Sequence, residues 1–301
     1  PGLRSVETAA QVVDGLATEA GRLTVENRVQ LRWETFCFEA VPLIEKALAG
    51  PPAPSIAFND HTSMALLDPR VPLQDRPFDQ DPDFPVVDMD APAFAAKMQE
   101  RAKRSHMTTA AFVDLIRRMW RRRPEVPGVI AGVAAKGGAA GVSMLSHDDS
   151  RTETRDYYRG LGARITEFPM NRPVAEAARA AGDRIVFGAP NAARGGSHLG
   201  SPGAAAMVAD ELCDILASDY YYPAMLLAVA RMRADGVAPL ARIWQLVAAN
   251  PAEASGLHDR GRIAPGRRAD LVLVDWPEGG TPVVRRTFVA GREAYRAVAA
   301  A

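Results

Sequence analysis

The chain has 301 residues and 48% of them are hydrophobic, which is enough for one large α/β barrel or two modest domains. Its formal net charge is +0, which excludes a general electrostatic attraction to nucleic acid or to an anionic membrane. We expect a soluble, cytoplasmic protein, because no signal-peptide pattern and no apolar run of ~20 residues is visible and the two cysteines show no pairing pattern.

The first part of the chain alternates predicted helices with short strands. Ser5 and Glu7 are typical of a capped helix start. The first predicted strand ends near the carboxylate of Glu34, and the second delivers His61 to its tip. In order, the predicted elements are a helix to about Ala20, a strand within Val25–Phe38, a helix at Val41–Leu48 and a strand at Ser55–Asn59.

A long segment without periodicity separates these elements from three further helices. Pro69–Pro92 is rich in proline and aspartate, and a loop of this length is either functional, such as a lid over the strand tips, or a disordered surface insertion. The helices that follow are predicted at Phe94–Arg104, Thr108–Arg122 and Val129–Ala135, the last ended by Lys136-Gly137-Gly138.

The next strand ends in three ionisable groups. Gly141–Asp149 is an apolar run after a glycine turn, which is typical of a buried parallel strand, and it closes with His147, Asp148 and Asp149. The carboxyl ends of such strands are where α/β enzymes keep their chemistry. His147 is therefore a candidate metal ligand or base; the alternative is a core histidine that happens to end a strand.

The same pattern recurs along the chain, and it predicts the fold. Short runs that end in a Lewis-basic side chain alternate with helices, as in a β/α barrel whose strand tips converge on one face. The four tip residues are Glu34, His61, His147 and Asp219. From Gly261 onward, hairpin-length strands at Leu271–Asp275 and Pro282–Val289 replace the βα units. We therefore predict a barrel over residues 1–260 and a small β appendage over residues 261–301.

The four tip residues suit a divalent cation. Imidazole nitrogen and carboxylate oxygen together favour zinc, manganese or a similar ion. One or two bound metals can activate water, and Asp219 at the last tip is the natural proton acceptor. The alternative is that the four are unrelated polar strand ends.

A glycine-rich loop forms a second candidate site. Gly188–Gly203 is predicted to be a loop in which backbone N–H groups and the Arg194 guanidinium could bind a phosphate or carboxylate. Its candidate substrate-binding residues are Asn191, Arg194, Gly195, Gly196, Ser197 and His198. The alternative is a glycine-rich turn with one surface arginine.

These motifs, in this order, resemble the PhnM family of the amidohydrolase superfamily. The resemblance is carried by Ser146-His147-Asp148-Asp149, Glu167-Phe168-Pro169, Gly188-Ala189-Pro190-Asn191, Arg194-Gly195-Gly196-Ser197-His198 and Ala217-Ser218-Asp219-Tyr220. The tail, Gly261–Asp275 with Val289–Arg292, is similar to the segment by which amidohydrolases complete a β-sandwich beside a distorted (β/α)8 barrel.

The resemblance implies a function and a role for each tip residue. PhnM enzymes are metal-dependent hydrolases that release pyrophosphate from α-D-ribose 1-methylphosphonate 5-triphosphate in phosphonate metabolism. Glu34 would be the bridging ligand, His61 and His147 further ligands, and Asp219 a ligand and the base. We expect a phosphorylated sugar as substrate and neither nucleic acid nor membrane as partner. Zinc is the expected metal, with manganese or magnesium as alternatives, and a homo-oligomer is compatible with the sequence.

The sequence departs from the superfamily pattern at its start. The first-strand His-x-His pair is absent, and the chain begins Pro1-Gly2-Leu3 without methionine, so we expect that an N-terminal part is missing. Departures after His61 and His198 leave one alternative to the diphosphatase, a paralogue that cleaves an amide or deaminates a small molecule. The absent first-strand pair leaves another, a non-catalytic barrel that lost its first-strand ligands.

Overall fold

The structure, a computed structural model, describes residues 5–195, 200 and 202–297. By its internal packing the chain divides into two units. The first comprises the residues up to Gly21 together with Asn27–Ala163, and the second comprises Arg22–Glu26 together with the residues from Arg164 onward.

The first unit is built on three parallel strands that pair in chain order. They are β1 (Gln30–Glu34), β2 (Ser55–Asn59) and β3 (Met144–His147). The helices of this unit are α1 (Val6–Glu19), α2 (Val41–Leu48), α3 (His61–Leu66), α4 (Pro92–Arg104), α5 (Thr109–Arg121), α6 (Val126–Ala139) and α7 (Thr152–Gly160).

The second unit holds three more parallel strands, again paired in chain order, and a separate antiparallel sheet. The parallel strands are β4 (Ile165–Glu167), β5 (Arg184–Gly188) and β6 (Ile215–Ala217), and the helices are α8 (Arg172–Ala180), α9 (Ala189–Arg194), α10 (Ala204–Ala209), α11 (Ala224–Ala234), α12 (Leu240–Gln245) and α13 (Ala249–Ala254). The antiparallel sheet is β7 (Leu271–Asp275), β8 (Val283–Val289) and β9 (Arg292–Arg296).

Each unit has its own core. In the first, Ile56 and Phe58 of β2 are buried against Ile130 and Val133 of α6, and the Phe58 ring stacks on Tyr158 with 5.3 Å between centroids. In the second, the core includes Ile185, Phe187, Leu216, Met232 and Ile243. Burying side chains of this size stabilises the fold by about 1.5–3 kcal/mol each. The apolar runs predicted from the sequence are therefore the core strands of the two units.

The predicted fold class is confirmed. The described part of the chain contains six parallel strands, three in each unit, with helices between them, and a small antiparallel β sheet follows. The predicted boundary after residue 260 stays a prediction. No helix of the described residues is both long enough and apolar enough to cross a bilayer.

The predicted end of the helix at Val129–Ala135 is wrong. Helix α6 continues through Gly137 to Ala139. A Cβ atom at position 137 would lie 2.8 Å from Sδ of Met144 and 3.0 Å from Cδ1 of Ile56. Glycine is therefore used here for close approach of the helix to the sheet, and it does not stop the helix.

The loop prediction for Gly188–Gly203 is also wrong in part. Helix α9 begins directly after β5, and a proline in its first turn suits the geometry of a helix start. It ends at Gly195, whose φ of 88° is the left-handed conformation that favours glycine at a helix end.

The long proline-rich segment is packed onto the first unit. Leu67 and Val86 form an antiparallel bridge, and Arg76, Asp79 and Phe84 are buried. The interpretation of Pro69–Pro92 as a disordered insertion is therefore wrong, and its interpretation as a lid stays a prediction.

Candidate functional site

The first candidate residues meet at the ends of β1 and β2. The register pairs Glu34 with Asn59, so these strands end side by side. Asn59 Nδ2 donates to Oε1 of Glu34 at 2.6 Å. His61 follows as the first residue of α3, and its Nδ1 lies 2.6 Å from the same oxygen. Its backbone N–H donates to Oε2 of Glu34 at 3.0 Å.

These contacts keep Glu34 ionised. Burial acts to raise the pKa of Glu34, but the hydrogen bonds and charge of His61, with the amide of Asn59, outweigh it and hold the pKa below its ordinary value. The Glu34 carboxylate therefore fixes the orientation of the His61 imidazole, as carboxylates do for histidines in many metal sites.

Asp60 fixes the start of the helix that carries His61. One carboxylate oxygen accepts from the backbone N–H of Ser63 at 2.7 Å, and the other accepts from the Ser63 hydroxyl at 2.7 Å. This is a regular N-cap, which satisfies a backbone donor of the first helical turn. His61 is thus placed by a cap on one side and a carboxylate on the other.

His147 ends β3 and pairs with the next residue. Its side chain is 2% exposed, and Nδ1 lies 2.8 Å from Oδ2 of Asp148. The same oxygen lies 3.8 Å from Nε2 of His61, and the two imidazole centroids are 6.3 Å apart. Asp148 therefore lies between the two histidines.

Asp148 was missed as a site residue by the sequence reasoning. It has φ of 56°, a left-handed conformation that a non-glycine residue adopts only when its surroundings hold it there. Burial acts to raise the pKa of Asp148, but His147, His61 and Arg76 outweigh it and lower the pKa below its ordinary value. The only sequence signal was its place in the Ser-His-Asp-Asp run.

The second acidic residue of that run has a different role. Asp149 is fully buried and accepts a hydrogen bond from the Ser146 hydroxyl. Arg155 of α7, also fully buried, donates to Ser146 Oγ and to the carbonyl of Ala163, and its Nη1 lies 3.5 Å from Oδ2 of Asp149. This network involves residues on both sides of His147 in the chain and holds the end of β3 to α7.

The remaining candidate residues belong to the second unit. Asp219 follows β6, is exposed, and has φ of 50°. Arg194 is also exposed, and its guanidinium lies 5.5 Å from the ring centroid of Tyr220, the residue after Asp219. Within this unit, the structure thus brings the predicted anion-binding arginine to the aromatic neighbour of the predicted base.

The predictions for the other residues of the glycine-rich loop Gly188–Gly203 have mixed outcomes. Asn191 uses its side-chain oxygen to accept from the backbone N–H of Ala204 at 2.9 Å, which supports the start of α10. Gly195 is the helix-ending residue described above. Gly196, Ser197 and His198 lie outside the described residues. Their roles in substrate binding stay predictions.

The donor types suit a metal, but their arrangement does not complete a site. Two imidazoles and two carboxylates are ligands that zinc and related cations accept. In this structure Glu34 is paired with His61, and Asp148 with His147. Throughout residues 5–195, 200 and 202–297, no three His, Cys, Asp or Glu side chains form a group that could hold a metal ion. As arranged, these residues form two carboxylate–histidine pairs that supply ligand types for a metal without a complete ligand set among the described residues. The roles of Glu34, His61, His147 and Asp219 as metal ligands, and the convergence of Asp219 with the other three, stay predictions.

The buried carboxyl of Asp60 predicts a pH dependence of stability. Burial, followed by the charge of Asp79, raises the pKa of Asp60 from 3.8 to about 7. The folded state therefore holds a proton that the unfolded state releases between about pH 4 and pH 7. The contribution of this proton to the free energy of unfolding is complete below about pH 4 and is lost as the pH rises through 7.

We expect the free energy of unfolding to decrease between pH 5 and pH 8, and the decrease to be smaller in Asp60→Asn, which keeps the helix cap. Urea unfolding at the two pH values measures this. Asp83→Asn, at an exposed position, is the control and should behave as the wild type. An equal decrease in Asp60→Asn would assign the effect to other groups.

Comparison with known proteins identifies the class. The sequence profile described as "Amidohydrolase family" matches residues 122–295, more than half of the chain. The chain belongs to the amidohydrolase family.

Individual relatives match shorter stretches. An alpha-D-ribose 1-methylphosphonate 5-triphosphate diphosphatase of Escherichia coli strain K12 is 44% identical over 144 residues, which are 47% of this chain and 38% of that protein. An adenine deaminase of Methylobacterium sp. strain 4-46 is 52% identical over 65 residues, 22% of this chain and 11% of the deaminase. The crystal structure of an amidohydrolase from Thermotoga maritima MSB8 has a TM-score of 0.45 and 19% identity, and covers 60% of each chain. The chain thus spans well under half the length of the two curated relatives.

Proposed function

We propose that this amidohydrolase is a metal-dependent diphosphatase. In the proposed reaction, water cleaves a phosphoanhydride of α-D-ribose 1-methylphosphonate 5-triphosphate, pyrophosphate leaves, and the 5-phosphate remains. The observation that carries the proposal is the 44% identity over 144 residues to the diphosphatase of Escherichia coli. The pairing of His61 and His147 with carboxylates at the ends of parallel strands supports it.

Each residue of the proposed site has a defined task. Glu34 and Asp148 hold the imidazoles of His61 and His147 in fixed orientations through their Nδ1 atoms. Asp219 accepts the proton of the attacking water, which is the work of a general base.

We further propose that the metal on which the enzyme depends is a divalent cation. Zinc is the first choice because it accepts mixed nitrogen and oxygen ligands, and manganese and magnesium are the alternatives. Metal analysis of the protein tests this, and less than about half an equivalent of bound metal would favour a non-catalytic barrel.

Deamination is the second candidate activity. It is favoured by the 52% identity over 65 residues to an adenine deaminase. The two activities are separated by their products: the diphosphatase releases pyrophosphate from the ribosyl triphosphate, and the deaminase releases ammonia from adenine.

The experiment that tests the proposal incubates the full-length protein with zinc, manganese or magnesium and each substrate, and measures both products. Pyrophosphate without ammonia supports the diphosphatase. Ammonia without pyrophosphate replaces it with the deaminase, and release of neither product contradicts both.

Arg194 is expected to bind the phosphate chain of the substrate. Its guanidinium is exposed and offers a planar, permanently charged donor fork. Loss of a charged hydrogen bond costs about 1.5–3 kcal/mol, so Arg194→Ala should raise KM by roughly 10- to 100-fold with little change in kcat. Steady-state kinetics of pyrophosphate release measure both constants.

The matched control is Arg292→Ala, which removes an exposed arginine from β9 of the same unit. It should leave KM unchanged. An unchanged KM in Arg194→Ala would remove this arginine from the proposed site.

A further inference from the structure

A buried arginine of the long proline-rich segment contacts the backbone of Asp148. Arg76 is 1% exposed, and its Nε donates to Oδ1 of Asp79 at 2.7 Å. Its Nη2 donates to the backbone carbonyl of Asp148 at 2.9 Å. These two residues are 72 positions apart in the sequence. The segment is therefore bonded to the turn that follows β3.

The contact is reinforced from the other side. The Ser150 hydroxyl donates to the backbone carbonyl of Arg76 at 2.8 Å, and Arg151 Nη2 donates to the carbonyl of Asp75 at 2.8 Å. Three hydrogen bonds thus join residues 75–76 to residues 148–151. The turn cannot shift without breaking them.

The turn needs this support because of its backbone conformation. Asp148 is held at φ of 56°, which costs a non-glycine residue about 1 kcal/mol or more. In this conformation its carbonyl points to Arg76, while its carboxylate contacts His147 at 2.8 Å and approaches His61 at 3.8 Å. The carbonyl contact and the carboxylate contacts are therefore linked through one residue.

Stability alone does not explain the arginine. A buried ion pair is often no more stabilising than apolar residues of the same volume. Arg76 lies near a second buried carboxyl, Asp60, and its Nη1 has no hydrogen-bond partner within the described ranges. A buried donor without a partner is an exception that calls for a reason. The hydrogen bond of the same guanidinium to the Asp148 carbonyl supplies a reason for burying this arginine, since it holds the backbone of Asp148 in place.

We propose that Arg76 is a positioning residue that holds Asp148 between His61 and His147. The role in catalysis rests on the proposed function, because it acts through the carboxylate that orients His147. The role of Arg76 in placing Asp148 does not depend on the proposed function, since it concerns only contacts within the first unit. Loss of such a supporting contact lowers activity by roughly 10- to 100-fold.

The test compares Arg76→Lys with Arg123→Met. Lysine keeps a positive charge beside Asp79 and Asp60 but lacks the fork that reaches Asp79 and Asp148 together. Arg123 holds the same segment by donating to the carbonyls of Asp79 and Asp81 at 2.7 and 2.6 Å. Arg123→Met is therefore the control, because it weakens the attachment of the segment without removing the contact between Arg76 and Asp148.

Two readouts are used. The first is the ¹⁵N imidazole spectrum of protein labelled at its five histidines, in which the His147 Nδ1 signal is assigned with His147→Ala. The second is the separation of kcat from KM for pyrophosphate release. We expect Arg76→Lys to shift the Nδ1 signal and to lower kcat by roughly 10- to 100-fold with KM nearly unchanged. Arg123→Met should change neither readout.

Ser150→Ala is the second variant, and it removes no charge from the buried network. It deletes the hydrogen bond to the Arg76 carbonyl and should shift the His147 signal in the same direction. A His147 signal that is unchanged in every folded variant at positions 76 and 150 would overturn the positioning role. A shifted signal in a chain that releases no pyrophosphate would support the positioning role and reject the proposed function.

Discussion

Pyrophosphate release is expected to fall at least about 10²-fold when His147 is replaced by alanine or Asp219 by asparagine. His147 ends β3 with its Nδ1 on Asp148, and its loss removes one of the two oriented imidazoles. Asparagine at position 219 keeps the shape of the side chain but cannot accept a proton, and a general base contributes about 10²–10⁴ in rate. Initial rates at saturating substrate measure both effects.

Stability measurements complete this test. Asp219 is exposed, so its replacement by asparagine should leave thermal unfolding almost unchanged. His106→Ala is the matched control for the other variant, because His106 is an exposed histidine of the same unit, and it should keep full activity. If both site variants unfold, the two residues hold the fold together and the proposed site is wrong.

Replacement of Arg155 by methionine is expected to destabilise the first unit by about 3–5 kcal/mol. The side chain is fully buried, and its charge lies 3.5 Å from the fully buried Asp149. Removing one partner of such a pair leaves an uncompensated buried charge, which carries this penalty. The free energy of urea unfolding measures the loss.

A double variant shows whether the cost comes from the charge. Replacing Arg155 by methionine and Asp149 by asparagine together removes both charges, and most of the lost stability should return. Arg118→Met removes an exposed arginine from α5 and should change stability by less than about 0.5 kcal/mol. A loss in Arg155→Met no larger than in this control would contradict the buried network.

The sequence reasoning located most of the elements that place the site. The predicted bounds Val41–Leu48 and Ser55–Asn59 are confirmed, because proline breaks and apolar runs mark their ends clearly. The approach of Glu34 to His61 also followed from the sequence. Both lie at the carboxyl ends of strands that pair in parallel, and such ends meet at one edge of a sheet.

The parts that the sequence did not predict depend on contacts between distant residues. The position of the Asp148 carboxylate follows from a left-handed φ that Arg76 supports across 72 residues. The continuation of α6 through Gly137 follows from the close packing of Met144 and Ile56. A pattern within one segment carries no information on either contact. The contact of Asn191 was likewise not predicted, since its side-chain oxygen accepts a hydrogen bond from the start of α10.

The most direct test of the account is the release of pyrophosphate from α-D-ribose 1-methylphosphonate 5-triphosphate. The full-length wild-type protein and its His147→Ala variant are compared in the presence of zinc, manganese or magnesium. We expect release by the wild type with at least one of the metals and a loss of at least about 10²-fold in the variant. No release by the folded wild type with any of the three metals, or equal release by the variant, would contradict it.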